Sequence, residues 1–254
     1  MVKLKTKIMK KVRKDHVLVL KTVDKDMKSY GGFQWPKKGY VKCDDFDPEP
    51  ECGNGLHGFL KGEGSGLLAN WDQDAAWLVL EVLESKIIDL EGKVKFPDCN
   101  VLYAGERSVA TKMIYDVYHT AVIGGTATAG YHGTATAGYH GTATAGHRGT
   151  ATAGDRGTAT ARDDGTATAG NYGTATTGDY GTATAGHRGT ATAGYRGTAT
   201  AGNYGTATTG HFGIIQIAYY DGRRKVKIGY IEEDGLKANV AYVLNDSFEF
   251  VEKS

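Results

Sequence analysis

Hydroxyl, imidazole and guanidinium groups recur at fixed intervals through the middle of this 254-residue chain, and their spacing decides what they can do together. From Gly125 to Phe212 an octad repeats eleven times without insertion, beginning Gly125-Thr126-Ala127-Thr128-Ala129-Gly130-Tyr131-His132. Two threonines in each octad stand two residues apart, which places both on one face of an extended strand and the alanines on the other. Alanine is expected inside, because it is small and apolar whereas an inward threonine hydroxyl would need a buried partner. Thr126, Thr128, Thr134, Thr136, Thr142 and Thr144 then open two outward rows. β-Branched side chains are stiff at χ1, so such rows form flat, regular arrays of hydroxyls suited to a periodic ligand.

The turn residues offer a second chemistry. Eight residues scarcely enclose a core, so the expected coil is two octads, sixteen residues, with its strands in two parallel sheets and Gly-x-x-Gly supplying the corners. Eleven octads then make five and a half coils, roughly 26 Å of rod at ~4.8 Å per rung. This sorts the octad ends onto two edges. One reads His140, Arg156, Tyr172, Arg188, Tyr204; the other reads His132, Arg148, Asp164, Tyr180, Arg196, Phe212. Arg156, Tyr172, Arg188 and Tyr204 are candidate binding residues, since arginine and tyrosine alternate up the stack in cation-π range. The plainer reading is a solvated corner with like charges kept apart. His132 and His140 fall on opposite edges and cannot share an ion, so no metal site is expected there despite His147 and His187. Arg162 stands where the fifth octad should carry glycine, marking a kink or simple drift.

Outside the repeats, Cys52-Gly53-Asn54-Gly55-Leu56-His57 is the most motif-like stretch, and His57 is the one candidate catalytic residue. Nothing in sequence orients it, and no nucleophile elbow, phosphate loop or paired-carboxylate spacing accompanies it, so a structural histidine is the favoured reading. Cys43, Cys52 and Cys99 make an odd count, which argues for reduced thiols over a disulfide framework, and they lack a full zinc ligand set. No cofactor is called for. A formal net charge of +1 removes any whole-protein argument for nucleic acid. The local cluster Lys3, Lys5, Lys7, Lys10, Lys11, Arg13 and Lys14 alternates with apolar residues over Val2–Ile8, as in an edge strand guarded by lysine, and Arg223-Arg224-Lys225 adds a smaller cluster. With no secretory or transmembrane-length apolar run, the expected compartment is the cytoplasm and no membrane partner is expected.

The elements that must hold these groups divide the chain into three. Residues 1–120 read as an α+β domain, with strands around Val17–Val23, Trp77–Leu83, Ile87–Leu90 and Val101–Tyr103, then a helix over Glu106–Tyr118 turning Val109, Met113 and Val117 to one face. Residues 121–213 form the Ala/Thr/Gly-rich β-solenoid. Residues 214–254 form a β meander with turns at Asp221-Gly222 and Asp234-Gly235, capping the open strand edges. The fold class is mainly β.

Two resemblances add to this reading. The Cys52–His57 stretch, Trp77-Leu78-Val79-Leu80-Glu81-Val82, the octads and the closing apolar meander together resemble uncharacterised proteins of bacteriophages and gut bacteria. That implies a phage or prophage accessory protein, with a virion or infected host cell as a further compartment. The octads resemble the repeats of bacterial ice-nucleation proteins, Ala129-Gly130-Tyr131 and Thr134-Ala135-Thr136 standing where that family has Ala-Gly-Tyr-Gly-Ser-Thr-x-Thr. This implies a β-solenoid and, through outward Thr-x-Thr pairs, an ice-binding surface. Gly53 to Val82 is also similar to the ADP-ribosyltransferase pattern of Gly-rich turn, aromatic or His position, helix and hydrophobic strand, which implies an enzyme built around His57. Without a complete catalytic constellation, the leading expectation is a non-catalytic binding or scaffolding solenoid whose partner is a protein, a small ligand or ice, with self-association through the threonine sheets as a further option.

Overall fold

The computed structural model describes residues 12–253, so the lysine-guarded strand expected over Val2–Ile8 lies outside them. The apolar run His-Val-Leu-Val-Leu-Lys-Thr-Val has no polar face to show to water, and it forms β1 (His16–Val23) at the centre of a sheet. Around it lie β2 (Gly39–Lys42), β3 (Leu56–Leu60), β4 (Ala76–Leu83), β5 (Ile88–Asp89), β6 (Val94–Phe96) and β7 (Asp98–Gly105). The order is β2-β7-β4-β1-β3-β6-β5, with every pairing antiparallel. The strand expected over Ile87–Leu90 is reduced to two residues, while β2, β3 and β6 are additions to the expected set.

Both faces of this sheet are covered. Leu18, Leu20, Phe59, Trp77 and Val79 pack with Ala110, Met113 and Ile114 of α1 (Arg107–Tyr118). Met113 and its neighbours at three- and four-residue spacing form the buried stripe, and Val109 and Val117 sit partly buried on its flank. His119 ends the helix in the left-handed region, its N–H returning to the Tyr115 carbonyl at 2.8 Å. On the opposite face Val19, Val23, Trp35, Cys43, Leu56 and Phe96 form a second core, closed by the loops before β2 and β3. Residues 1–126 make one compact unit and 127–254 another.

The second unit follows the alternation of the octads. Eleven short strands run from β8 (Thr126–Thr128) and β9 (Thr134–Ala137) to β17 (Thr198–Ala201) and β18 (Thr206–Thr209). Even-numbered strands stack into one parallel sheet and odd-numbered strands into the other, each residue pairing with its equivalent sixteen positions on, as Thr142 with Thr158 and Thr150 with Thr166. The coil is therefore two octads. Its interior is alanine, with Ala143, Ala159, Ala175, Ala191 and Ala207 each 0% exposed. β19 (Ile214–Tyr220) completes the sixth coil by pairing parallel to β17, setting Ile215 and Ile217 where alanines would stand. These larger side chains fill the end of the rod.

Beyond that rung the chain reverses. β20 (Arg224–Tyr230) pairs antiparallel with β19 across the Asp221-Gly222 turn, where Gly222 takes φ +66°. β21 (Tyr242–Leu244) lies antiparallel to β18 and pairs with β22 (Phe250–Glu252). The meander thus closes the C-terminal edge of both sheets with mixed and charged strands, blunting further strand addition. Among the described residues no helix is long and apolar enough to cross a membrane.

Candidate functional site

The two threonine faces follow directly from the sheets. Thr126, Thr128, Thr142 and Thr144 belong to one, Thr134 and Thr136 to the other; all are exposed except the half-buried Thr144. Along each face the first threonine of the pair stays exposed through Thr174 and Thr182, and the second is half-buried from Thr144 and Thr152 onward. The rows therefore present one outer and one recessed hydroxyl per rung, ~6.7 Å apart along the strand and ~4.8 Å between rungs. Lys253 Nζ lies 3.1 Å from Thr206 Oγ1, and Thr206 is buried, so the C-terminal segment covers the last rung of one face.

Inward threonine behaves as elementary physics demands. Thr177 and Thr209 replace the second alanine of their octads, are buried, and their hydroxyls find no hydrogen-bond partner. Everywhere else that position holds the alanine that keeps the interior narrow and apolar.

The corners overturn one expectation. The glycines of the turn do not take the left-handed conformation; the residue between them does, from His132 at φ +54° through Arg156 at +56° and Tyr204 at +57° to Phe212 at +55°. Glycine is required for closeness instead. A Cβ on Gly146 would stand 2.7 Å from the Gly130 carbonyl carbon, and one on Gly202 2.5 Å from that of Gly186. The left-handed residue then turns its N–H up the rod, as Arg156 N to Asn171 O at 2.8 Å and Tyr172 N to His187 O at 2.8 Å. Corners are thus hydrogen-bonded rung to rung like the strands. Arg162 leaves the turn and the register in place: Gly165 N still reaches its carbonyl at 3.0 Å and the strands on either side stay aligned.

The seventh residue of four octads, Asp155, Asp163, Asn171 and Asp179, carries a role the sequence reading missed. Asp155 Oδ1 accepts the N–H of Asn171 at 2.7 Å, and Asn171 Oδ1 accepts that of His187 at 2.9 Å. On the other edge Asp163 accepts from Asp179, which accepts from Tyr195. These side chains satisfy a corner N–H that the backbone ladder leaves over. Their recurrence at sixteen-residue spacing was the available signal.

On the edges the expected stacks form. Arg156 lies 5.5 Å over the Tyr172 ring and Arg188 5.6 Å over Tyr204. Arg148 Nε stands 3.6 Å and His147 Nε2 3.5 Å from the Asp164 carboxylate, while Tyr180, Tyr195 and Phe212 meet edge to face. His132 and His140 sit on opposite edges.

In the first unit His57 lies on β3, opposite Lys95 of β6, and its Nε2 is buried with no partner. Burial, then the ammonium groups of Lys93, Lys21 and Lys95, hold its pKa down at about 4, while a hydrogen bond to the Gly55 backbone acts the other way. The imidazole is neutral near pH 7. Among the described residues no carboxylate orients it, and where the ADP-ribosyltransferase pattern has a helix the segment carries only the 3-10 turn Gly66–Leu68. Cys43 and Cys99 are buried, and burial raises both thiols.

With this geometry in hand, comparison with known proteins divides along the same lines. Residues 17–112 match a domain of unknown function, DUF7666. The chain is 38% identical over 107 residues to an ice nucleation protein of Pseudomonas fluorescens, covering 41% of this chain and 9% of that protein. It is 36% identical over 112 residues to ice nucleation protein InaU of Pantoea ananas, covering 43% and 11%, and 42% identical over 102 residues to one of Xanthomonas campestris pv. translucens, covering 39% and 6%. The chain thus spans about a tenth or less of these relatives' length. No solved structure matches.

Proposed function

We propose that the chain is a non-catalytic binding protein whose ligand-contacting surface is the pair of threonine faces, and that the ligand is ice. One observation carries the reading: both sheets hold their threonines in strict sixteen-residue register, so the outward hydroxyls and methyls form two flat lattices of fixed spacing. A rigid array pays little ordering entropy when it meets another periodic hydrogen-bonding solid. The ice nucleation proteins to which the repeats are similar lend the ligand its identity. Those proteins are roughly ten times longer than the matched portion, and an embryo of ice needs a template of matching area. A rod of some 26 Å is therefore read as adsorbing to ice already formed rather than starting it.

The test is freezing-point hysteresis of the folded full chain, with Thr150→Tyr/Thr166→Tyr on one face and Thr142→Tyr/Thr158→Tyr on the other. Tyrosine keeps the strand propensity while breaking the flat surface. The native chain is expected to shape ice and depress its growth temperature, each pair to weaken this, and all four changes to abolish it. A native, folded chain with no hysteresis and no crystal shaping overturns the reading.

A second reading rests on the edges, where Tyr172, Tyr204 and Phe212 are each more than half exposed beside arginines, and Tyr180 is more than half exposed against Tyr195. Exposed aromatic and arginine rows are the composition of protein docking surfaces. On this reading the rod presents a partner-binding edge, and Tyr172→Ser with Tyr204→Ser releases the partner while leaving ice adsorption intact.

A further inference from the structure

A cavity of about 680 Å³ opens in the first unit between β1, β3 and the loops that close the second core, and the threonine faces have no part in it. Its wall includes Lys21, Lys93 and His57 with the aromatic side chains of Phe33 and Trp35. Lys21 is half-buried, with its Nζ 5.8 Å over the Trp35 ring, and Lys93 Nζ lies 2.8 Å from Cys52 Sγ. Among the described residues neither ammonium has a carboxylate within ion-pair distance, whereas Lys86, Lys112, Lys225, Lys227 and Lys237 each have one. Lys95, fully buried next to the cavity on β6, spends its ammonium on the carbonyls of Glu49 and Glu51.

Like charges held close inside a protein are a standing cost unless something of opposite sign joins them. Here burial and the charge of Lys93 lower Lys21 to about 8, and the same two lysines act on the neutral His57. An apolar residue in place of Lys21 would continue the face of Val19 and Val23 and give up only the contact with the Trp35 ring. The volume is that of a small-molecule site, its wall part aromatic and part polar, with Thr22, Ser29 and Asn54 beside the two lysines and Asp45 as the one carboxylate that lines it.

We propose that this cavity binds a small phosphorylated ligand with a planar apolar body, its phosphoryl group between Lys21 and Lys93 and its body against Phe33 and Trp35. A phosphoryl group supplies several acceptors for the two ammoniums. As its monoanion it also carries one O–H, which the neutral imidazole of His57 can accept after a small side-chain adjustment.

The experiment is titration of the full chain with phenyl phosphate, with phenol and inorganic phosphate in parallel, followed by calorimetry and by the His57 ring resonances. Saturable binding of phenyl phosphate is expected, with inorganic phosphate weaker, phenol at least tenfold weaker, and the His57 pKa rising when the site fills. Lys21→Met and Lys93→Met are each expected to weaken phenyl phosphate tenfold or more, with an unchanged urea unfolding midpoint by far-UV circular dichroism as a check of folding. Equal affinity for phenol and phenyl phosphate, unaltered binding in both folded lysine variants, or no saturable binding of any of the three overturns the proposal. Should both variants fail to fold, an unmoved His57 resonance in the native chain at saturating phenyl phosphate overturns it alone.

Discussion

At the scale of single residues, the corners reverse the usual association of glycine with unusual backbone angles. The left-handed position is occupied by His, Arg, Asp, Tyr or Phe, and the glycines beside it are there because the next coil's backbone lies where a Cβ would go. Gly202→Ala is therefore expected to destabilise the solenoid by about 1–3 kcal/mol, as overpacking against backbone does. Arg188→Gly relieves left-handed strain while losing backbone rigidity and the contact with Tyr204, for a net change within about 1 kcal/mol. Urea unfolding followed by far-UV circular dichroism distinguishes the two, and equal losses would return the glycines to a conformational role. His57 gives a pH signature of the other unit. The unfolded chain takes up the imidazole proton near its ordinary 6.5 and the folded one only near 4, so the native state binds fewer protons in that window. The contribution of His57 is full above about pH 6.5 and is lost as pH falls towards 4. All three tryptophans lie in this unit, so the urea midpoint by tryptophan fluorescence is expected to fall over that window less steeply in His57→Gln than in the native chain. Parallel profiles would contradict the assignment.

At the scale of elements, each rung contributes a thin slice of alanine core and a row of strand hydrogen bonds, so a single misplaced polar atom matters. Thr177→Val removes an unpartnered buried hydroxyl at nearly constant shape and is expected to stabilise the solenoid by about 1 kcal/mol. A loss of stability in thermal unfolding would mean that the hydroxyl is satisfied after all. The solenoid was legible in the sequence because period and alternation act together: sixteen residues close a coil, and Thr-Ala alternation assigns inside and outside without reference to anything distant. The hairpin at Asp221-Gly222 was legible for a similarly local reason. The elements around His57 were not. β3 is five residues long with a central glycine that lets Val19 and the Leu20 carbonyl approach, and β6 carries a fully buried lysine, Lys95, that hides its strand character. Its ammonium is satisfied by carbonyls some 45 residues away in sequence, a pairing no local pattern announces. The cavity beside it depends on the same long-range packing.

At the scale of the whole molecule, the chain joins a unit whose residues 17–112 match DUF7666 to a short solenoid whose repeats are similar in sequence to ice nucleation proteins. Six threonine rungs on one face and five on the other fix the area of the arrays, and the C-terminal strands, by covering Thr206 and placing Ile214 and Gln216 in the next rung, end the lattice rather than extending it. The lattice is thereby bounded, which is why adsorption rather than nucleation is the activity proposed for it. The most direct measurement is partition of fluorescently labelled full chain between a slowly growing ice hemisphere and the surrounding solution, run beside the variant with Thr142, Thr150, Thr158 and Thr166 all changed to Tyr. Enrichment of the native chain in ice and exclusion of the folded variant is the predicted result. Exclusion of both, or equal incorporation of both, would contradict the claim that the threonine lattices are the binding surface.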